Sequence, residues 1–284
     1  MKLLPLLLTL SILLPGLAGA SWWAENDYSS GSNGLKKDSL TVLTTVSSKL
    51  MAGGSASFYR DTAAYPEKVY AFRLPLIYTG SRNLLSLAPF VYPVSPQTRS
   101  GAKGVRAYLR TSLTEPDDEN YLYLTAAAAW AGQTAMLAGF PGRKTFSETA
   151  VEFQAEKSYF RQFFLLASAA AFSKSGDASN ANLLTPALDH ADMACLGTFR
   201  QVTALPDWVV TVQLSRSMKP EFASHLYIGY SKIAFRQAAA ANSVITGLRL
   251  EISQKTTLDL AYNMFKAEDS AYQNYYKILL RTVF

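Results

Sequence analysis

The stretch that decides the fold is residues 275–284, with the sequence YYKILLRTVF. Counted back from Phe284, every second residue is apolar, aromatic or small, whereas the charged residues Lys277 and Arg281 lie at the positions between them. Successive side chains of a β-strand point to opposite faces. The alternation therefore predicts a strand with one apolar face and one polar face.

A strand that runs to the last residue and ends on an aromatic side chain resembles the C-terminal strand of Gram-negative outer-membrane β-barrels. The resemblance implies that this strand closes the barrel and carries the signal read by the barrel-assembly machinery. That signal would consist of Tyr276, Ile278, Leu280 and Phe284. It also implies contact with outer-membrane lipids, and it predicts that loss of Phe284 impairs assembly in the membrane.

The N-terminus has the three parts of a secretory signal peptide. Lys2 precedes an apolar run over residues 3–14, and Ala18-Gly19-Ala20 offers a small-x-small cleavage site. We therefore predict a cleaved signal peptide over residues 1–20 and export to the outer membrane of a Gram-negative-type bacterium. Residues 21–38 are polar and rich in Gly and Ser, which predicts a flexible periplasmic segment, and residues 39–284 would form the barrel.

The composition agrees with an exported barrel. The chain is 49% hydrophobic but only 17% charged, and it contains 16 Tyr and 15 Phe. No segment reaches the ~18 consecutive apolar residues of a membrane-spanning helix. The single cysteine, Cys195, cannot form a disulfide within one chain, and the scattered Lys and Arg residues do not indicate a nucleic-acid partner.

Period-2 alternation recurs along the chain. One example has aromatic residues at both ends and aliphatic residues between them: Tyr70, Phe72, Leu74, Leu76 and Tyr78. Segments of this kind are centred near Val42, Phe58, Leu74, Leu87, Leu109, Leu124, Met136, Val151, Leu166, Thr198, Val212, Ile228, Leu248, Leu260 and Leu280. Because bacterial barrels have an even number of strands, we predict an all-β, membrane-spanning, antiparallel up-and-down β-barrel of about 14 strands, with 12 as the next choice.

Two central segments, residues 122–130 and 163–172, alternate poorly because small or apolar residues occupy both faces. We interpret them as strands and expect the adjacent lumen to be lined by small or apolar groups and partly packed shut. The longest stretch without a pattern is residues 173–192, which would be an extracellular loop that could fold inward as a constriction.

The polar faces of the predicted strands supply a set of lumen residues that could form either a pore lining or a plug. The set is Arg73, Arg106, Arg110, His225, Arg249, Glu251, Asp259, Lys277 and Arg281. Charges inside a small barrel commonly pair across strands and fill it. Alternatively, the basic groups could guide small anionic solutes through a mildly basic lumen.

The chain offers little else for chemistry. His190 lies near Asp189 and Asp192 in a loop, too few ligands for a metal site, and we predict no cofactor. Outer-membrane phospholipase A has a His and a Ser two residues apart on a strand, but Tyr227 stands two residues after His225. The leading hypothesis is therefore a passive channel for small solutes. The alternative is a non-conducting structural, adhesion or binding barrel, and an outer-membrane lipid hydrolase comes third.

Overall fold

A computed structural model describes most of the chain beyond its first twenty residues. The described residues are 21–60, 68–94, 100–115, 118–136, 142–176, 196–199, 205–218, 224–236, 238–268 and 270–284. The predicted signal peptide, most of the predicted loop over residues 173–192, His190 and Cys195 lie outside these ranges.

Fifteen β-strands and one short 3-10 helix, Ser32–Gly34, make up the regular structure of the described residues. The strands are β1 (Trp22–Gly31), β2 (Lys36–Ser47), β3 (Leu50–Arg60), β4 (Val69–Arg73), β5 (Leu76–Thr79), β6 (Asn83–Tyr92), β7 (Gly101–Ser112), β8 (Leu122–Met136), β9 (Arg143–Tyr159), β10 (Phe163–Gly176), β11 (Pro206–Ser217), β12 (His225–Phe235), β13 (Ala241–Ser253), β14 (Thr256–Ala267) and β15 (Gln273–Val283). In this described part of the chain, no helix has the length and apolar character needed to cross a membrane.

The strands form one closed antiparallel sheet. Neighbours in the wall follow one another along the chain, and β1 pairs with β15 to complete the circle. β4 and β5 both pair with β3 on one side and with β6 on the other, so together they occupy a single position in the wall. The wall therefore has 14 strand positions, and the predicted all-β antiparallel barrel is confirmed.

The interruption between β4 and β5 lies at Leu74 and Pro75. Proline has no amide hydrogen to contribute to a strand ladder, which ends β4 early. The backbone nevertheless stays connected across the gap, because Gly53 donates to the Pro75 carbonyl at 3.1 Å and Leu74 donates to the Pro89 carbonyl at 3.0 Å. The strand is thus interrupted at this point without opening the wall.

The outer face of the barrel is apolar. Outward side chains such as Tyr70, Ile228 and Leu280 are 44–53% exposed, and rows of similar residues continue around the wall. A soluble protein rarely exposes apolar patches larger than a few hundred Å². A closed strand cylinder is also one of only two backbone designs that leave no unpaired polar groups facing hydrocarbon. The outer face therefore suits a lipid bilayer.

Three of the strand predictions are wrong. Trp22–Gly31 is strand β1 and not part of a flexible segment. Alternation did not reveal this strand because its outward residue Asn26 is polar. The strand is defined by its pairing with β15 and β2. Met136 is the last residue of the long strand β8 and does not centre a strand of its own. Thr198 lies in no strand.

The barrel has two distinct ends. At one of them, the terminal end, the backbone amide of Phe284 donates to the carbonyl of Trp22 at 2.8 Å, so the first and last strands meet there. The connection from β10 to β11, the longest between strands, leaves from the opposite end, which we call the loop end.

Candidate functional site in the barrel lumen

The predicted lumen residues all lie at inward-facing positions of the wall. Arg73 is on β4, Arg106 and Arg110 on β7, His225 on β12, Arg249 and Glu251 on β13, Asp259 on β14, and Lys277 and Arg281 on β15. Of the residues assigned to the assembly signal, Tyr276, Ile278 and Leu280 lie on the other face of β15 and Phe284 follows the strand; all four are exposed.

Two of the arginines on β7 form ion pairs with acidic residues on β9. Arg106 contacts Glu152 at 3.0 Å, and Arg110 contacts Glu156 at 3.2 Å. Both pairs reach across β8. Between Arg106 and Glu152, the inward residues of β8 are Ala127 and Ala129, which are too small to intervene. Small residues on β8 therefore allow charges two strands apart to meet.

A second group of ion pairs crosses the junction between the first and last strands. Arg281 contacts Glu25 at 2.6 Å and lies over the ring of Trp23, 5.0 Å from its centroid. Lys277 is 3.5 Å from Asp27. The inward charges of β15 are thus balanced by carboxylates of β1.

A third group lies between β12 and β14. Asp259 accepts hydrogen bonds from Arg249 at 2.9 Å and from the Tyr227 hydroxyl at 2.7 Å. The Tyr227 ring lies against Gly247, where a Cβ atom would come within 2.2 Å of the ring. Glycine is required at this position because the aromatic ring occupies the space of a side chain.

Aromatic rings lie beside these ion pairs and extend the group around the wall. The ring centroids of Tyr121 and Tyr123 are 4.7 Å apart, and Arg110 lies over the Tyr123 ring at 4.0 Å. Phe164 is 6.1 Å from both Tyr121 and His225. Burial, reinforced by the nearby carboxylate of Glu156, raises the pKa of the Tyr121 hydroxyl, which stays protonated and donates to Glu156 at 2.8 Å.

We call the ion pairs Arg110–Glu156, Arg249–Asp259 and Arg281–Glu25, with the rings beside them, the terminal-end layer. Its arginine side chains are 38–43% exposed, so water reaches them. Exposed ion pairs of this kind contribute little to stability. They do present charged groups of both signs to any solute inside the barrel.

The other end of the lumen is dry. Large side chains there are 2% exposed or less, and we call them the loop-end layer: Tyr59, Tyr92, Ile233, Phe265 and Tyr275. Small residues of the two segments predicted to line part of the lumen, Ala129 and Ala170, are buried beside them, and so are Ala131 and Ala150. The prediction that part of the interior is packed shut is confirmed for this end.

Residues 196–199 enter the lumen from the loop side and lie against the loop-end layer. Asn263, fully buried on β14, accepts hydrogen bonds from the Thr198 hydroxyl at 2.9 Å and the Phe199 amide at 3.0 Å. Ser243 donates to the Gly197 carbonyl at 2.7 Å. The segment is therefore held by neutral hydrogen bonds to the wall and by the packing of Leu196 and Phe199 in the apolar core.

Gly197 has a sequence-specific role in this arrangement. Its φ of +61° is rarely adopted by residues with a side chain, and an added Cβ atom would lie 1.8 Å from the Ser231 hydroxyl. The inward turn thus depends on glycine at this position.

The histidine considered for hydrolysis has other surroundings. His225 lies 6.1 Å from Tyr227 by ring centroids, and the neighbouring Ser224 hydroxyl accepts a hydrogen bond from the Glu251 amide at 2.9 Å. Within the described ranges, no group of three or more His, Cys, Asp or Glu side chains could hold a metal ion.

Apart from Asp259, the acidic partners of the lumen cations were not identified from the sequence. They are Glu25 on β1 and Glu152 and Glu156 on β9, and Asp27 on β1 is the partner of Lys277. The signal that could have revealed them is their spacing, since residues separated by two or four positions in a strand share a face.

The comparisons with known proteins concern the fold. No protein-family model and no curated protein matches the chain. Among solved structures, the CymD monoaromatic hydrocarbon channel is similar with a TM-score of 0.54 at 11% identity, over 94% of this chain and 88% of CymD. The fold is that of an outer-membrane β-barrel. CdiB from Acinetobacter baumannii shares this outer-membrane β-barrel fold with a TM-score of 0.52 at 12% identity; 93% of this chain is covered, and it spans 60% of CdiB.

Proposed function

We propose that this protein is an outer-membrane channel for small solutes, closed at its loop end by residues 196–199 and the loop-end layer. In this proposal the terminal end faces the periplasm and the loop end faces the outside. The apolar outer face would contact outer-membrane lipids, and the outward residues of β15 would be read by the barrel-assembly machinery.

The observation that carries the proposal is the way in which residues 196–199 are held. The segment occupies the lumen of a 14-position barrel, which is wide enough that wall side chains alone need not fill it. Neutral hydrogen bonds, each worth roughly 1 kcal/mol, attach it together with the side chains of Leu196 and Phe199, which pack in the apolar core. An attachment of this strength can be released without unfolding the wall.

The charges of the terminal-end layer support a conducting path of weak selectivity. Water reaches its arginines, and carboxylates of β1, β9 and β14 stand beside them. Since opposite charges at short range cancel at a distance, we expect only a slight preference for anions, in place of the strong preference that an unbalanced basic lumen would give.

The test is single-channel conductance in planar lipid bilayers. Asn263→Leu removes the groups that hold Thr198 and Phe199, and we expect a severalfold higher conductance or open probability than in the wild type. Asn242→Leu is the matched control, because Asn242 lies on the outer face bonded to Tyr230; its conductance should equal the wild-type value. Silent bilayers at high protein load for both the wild type and Asn263→Leu would contradict a channel.

The dry loop-end layer favours a second candidate, a non-conducting barrel that acts through its outer loops. Tyr275 and Ile233 are fully buried, as they would be in a permanently packed interior. The same measurement separates the two candidates, because a permanently packed barrel stays silent when Asn263 is replaced.

A further inference from the structure

Arg216 places a positive charge on the outer face of the barrel. It is the penultimate residue of β11, and its side chain is exposed on the same side of the strand as Val212 and Leu214. The guanidinium lies 5.8 Å from the centroid of the Phe163 ring. Within the described ranges, this ring contact is the only interaction of the Arg216 side chain, so its hydrogen-bond donors are free.

A second cation, Lys157 of β9, lies on the same outer face. It is paired in register with Leu165 of β10, just as Arg216 is paired with Phe163 of β10. Its Nζ donates to the backbone carbonyl of Asn120, which is neutral, and no carboxylate in the described part of the chain pairs with it. The two cations therefore flank β10 from its two sides, and neither charge is cancelled by a neighbouring carboxylate.

An apolar groove begins at Arg216 and continues along the outer face as far as β15. Its volume is about 790 Å³, within the roughly 300–1,000 Å³ of small-molecule sites. Beyond Phe163 and Arg216, its outward lining includes Leu214, Leu226, Ile228, Leu248, Leu260 and Ile278. Thr246 is the smallest outward side chain in the register row that runs from Leu214 to Tyr276, which explains the depression in the surface.

The two cations are at the depth of a membrane interface. A charge on the lipid face of a barrel is costly at the bilayer midplane and inexpensive near an interface. Lys157 and Arg216 lie near the terminal ends of their strands, beside the exposed rings of Tyr159 and Phe163, and aromatic girdles mark the interfaces of membrane barrels. The phosphodiester of a phospholipid lies at this depth, and the planar guanidinium matches its two free oxygens.

We propose that this groove is a binding site for an anionic phospholipid of the leaflet at the terminal end. The phosphate would accept hydrogen bonds from Arg216 and Lys157, and an acyl chain would cover Leu214, Ile228 and Thr246. The apolar surface alone would accept any hydrocarbon chain, whereas the two uncancelled cations select a negative headgroup. The site lies on the outer face, so it does not depend on whether the barrel conducts.

The test is native mass spectrometry of the purified full-length protein, stripped of lipid in detergent and mixed with one lipid at a time. The lipids are dimyristoyl phosphatidylglycerol, dimyristoyl phosphatidylcholine and dimyristoylglycerol, which share their acyl chains. Phosphatidylglycerol should bind most tightly, because the choline cation repels the site and diacylglycerol lacks the phosphate. Arg216→Gln should weaken phosphatidylglycerol binding by about tenfold, since a hydrogen bond to a charged group is lost, and should leave diacylglycerol binding unchanged.

Three further variants make the result specific. Lys232→Gln is the matched control, because Lys232 is an exposed cation on the outer face at the loop end of β12, and its removal should have no effect. Arg216→Lys keeps the charge and should retain part of the phosphatidylglycerol affinity. Thr246→Phe fills the groove and should weaken binding of all three lipids. Circular dichroism of each variant establishes that the barrel is folded.

The outcomes for the lipid site and for the channel are separable. Equal affinity for phosphatidylglycerol and diacylglycerol, or equal losses in Arg216→Gln and Lys232→Gln, would overturn the lipid site. A lipid-free dimer that Thr246→Phe dissociates would assign the groove to a second copy of the chain and would overturn it as well. Phosphatidylglycerol binding that depends on Arg216, together with silent bilayers for Asn263→Leu, would support the lipid site and overturn only the channel.

Discussion

The loop-end and terminal-end layers differ in the kind of polar group that they place inside the barrel. Both place polar groups on the inner face of one continuous wall. Where the lumen is dry, most polar side chains are neutral, and Asn263 has its donors and acceptor engaged. The charged groups buried there are partnered: Glu148 accepts a hydrogen bond from Gln133, and Lys174 pairs with Asp207. Where water enters, charged pairs such as Arg281–Glu25 are used. The difference follows from the cost of burying an unpaired charge, which far exceeds that of burying a hydrogen-bonded amide.

The largest expected effect is in the loop-end layer. Tyr275→Ala removes a fully buried ring, and we expect a loss of about 3–5 kcal/mol in the free energy of unfolding. Urea unfolding of the barrel in lipid vesicles measures it. Tyr276→Ala, on the lipid-facing side of the same strand, is the control and should cost clearly less. Equal losses would show that the dry layer is not the stabilising core of the barrel.

An intermediate loss of unfolding free energy is expected for the pair Arg106–Glu152, between the two layers. Glu152→Gln removes a buried carboxylate from Arg106, which is partly exposed, and should lower the unfolding free energy by about 1–3 kcal/mol. The double variant with Arg106→Gln should recover part of this loss, because no unpaired charge remains. A double variant that is as unstable as the sum of the two single variants would mean that the pair is not coupled.

The smallest effect is expected in the terminal-end layer. Arg281→Gln breaks an ion pair whose arginine is 43% exposed, so the loss should be below about 1 kcal/mol. The difference in unfolding free energy between Arg281→Gln and the wild type should be smaller still in 1 M salt, because the Debye screening length is then only about 3 Å. A loss that is large and independent of salt would place Arg281 in a dry environment and weaken the contrast between the layers.

The sequence was sufficient for whatever depends on alternation. The lipid face of β15 and the inward positions of Arg249 and Asp259 follow from period 2 alone. β1 could not be predicted in this way, because Asn26 and Ser30 make its outer face polar and its identity depends on pairing with a strand from the other end of the chain. The ion-pair partners in the lumen could not be predicted from alternation either. Arg106 and Glu152 are 46 residues apart and meet because β8 carries the small inward residues Ala127 and Ala129 between them.

The pairing of β1 with β15 also affects the order in which the barrel folds. The ion pair between Glu25 and Arg281 joins residues 256 positions apart, whereas most other neighbouring strands are joined by the chain itself. Contacts of such long range form late in folding. Until they form, the sheet has two edges with unpaired amides and carbonyls, which can add to other strands and which hydrocarbon does not tolerate. The hydrogen bonds between β1 and β15 therefore remove both open edges in one step. The barrel acquires its kinetic stability only when this pairing is complete.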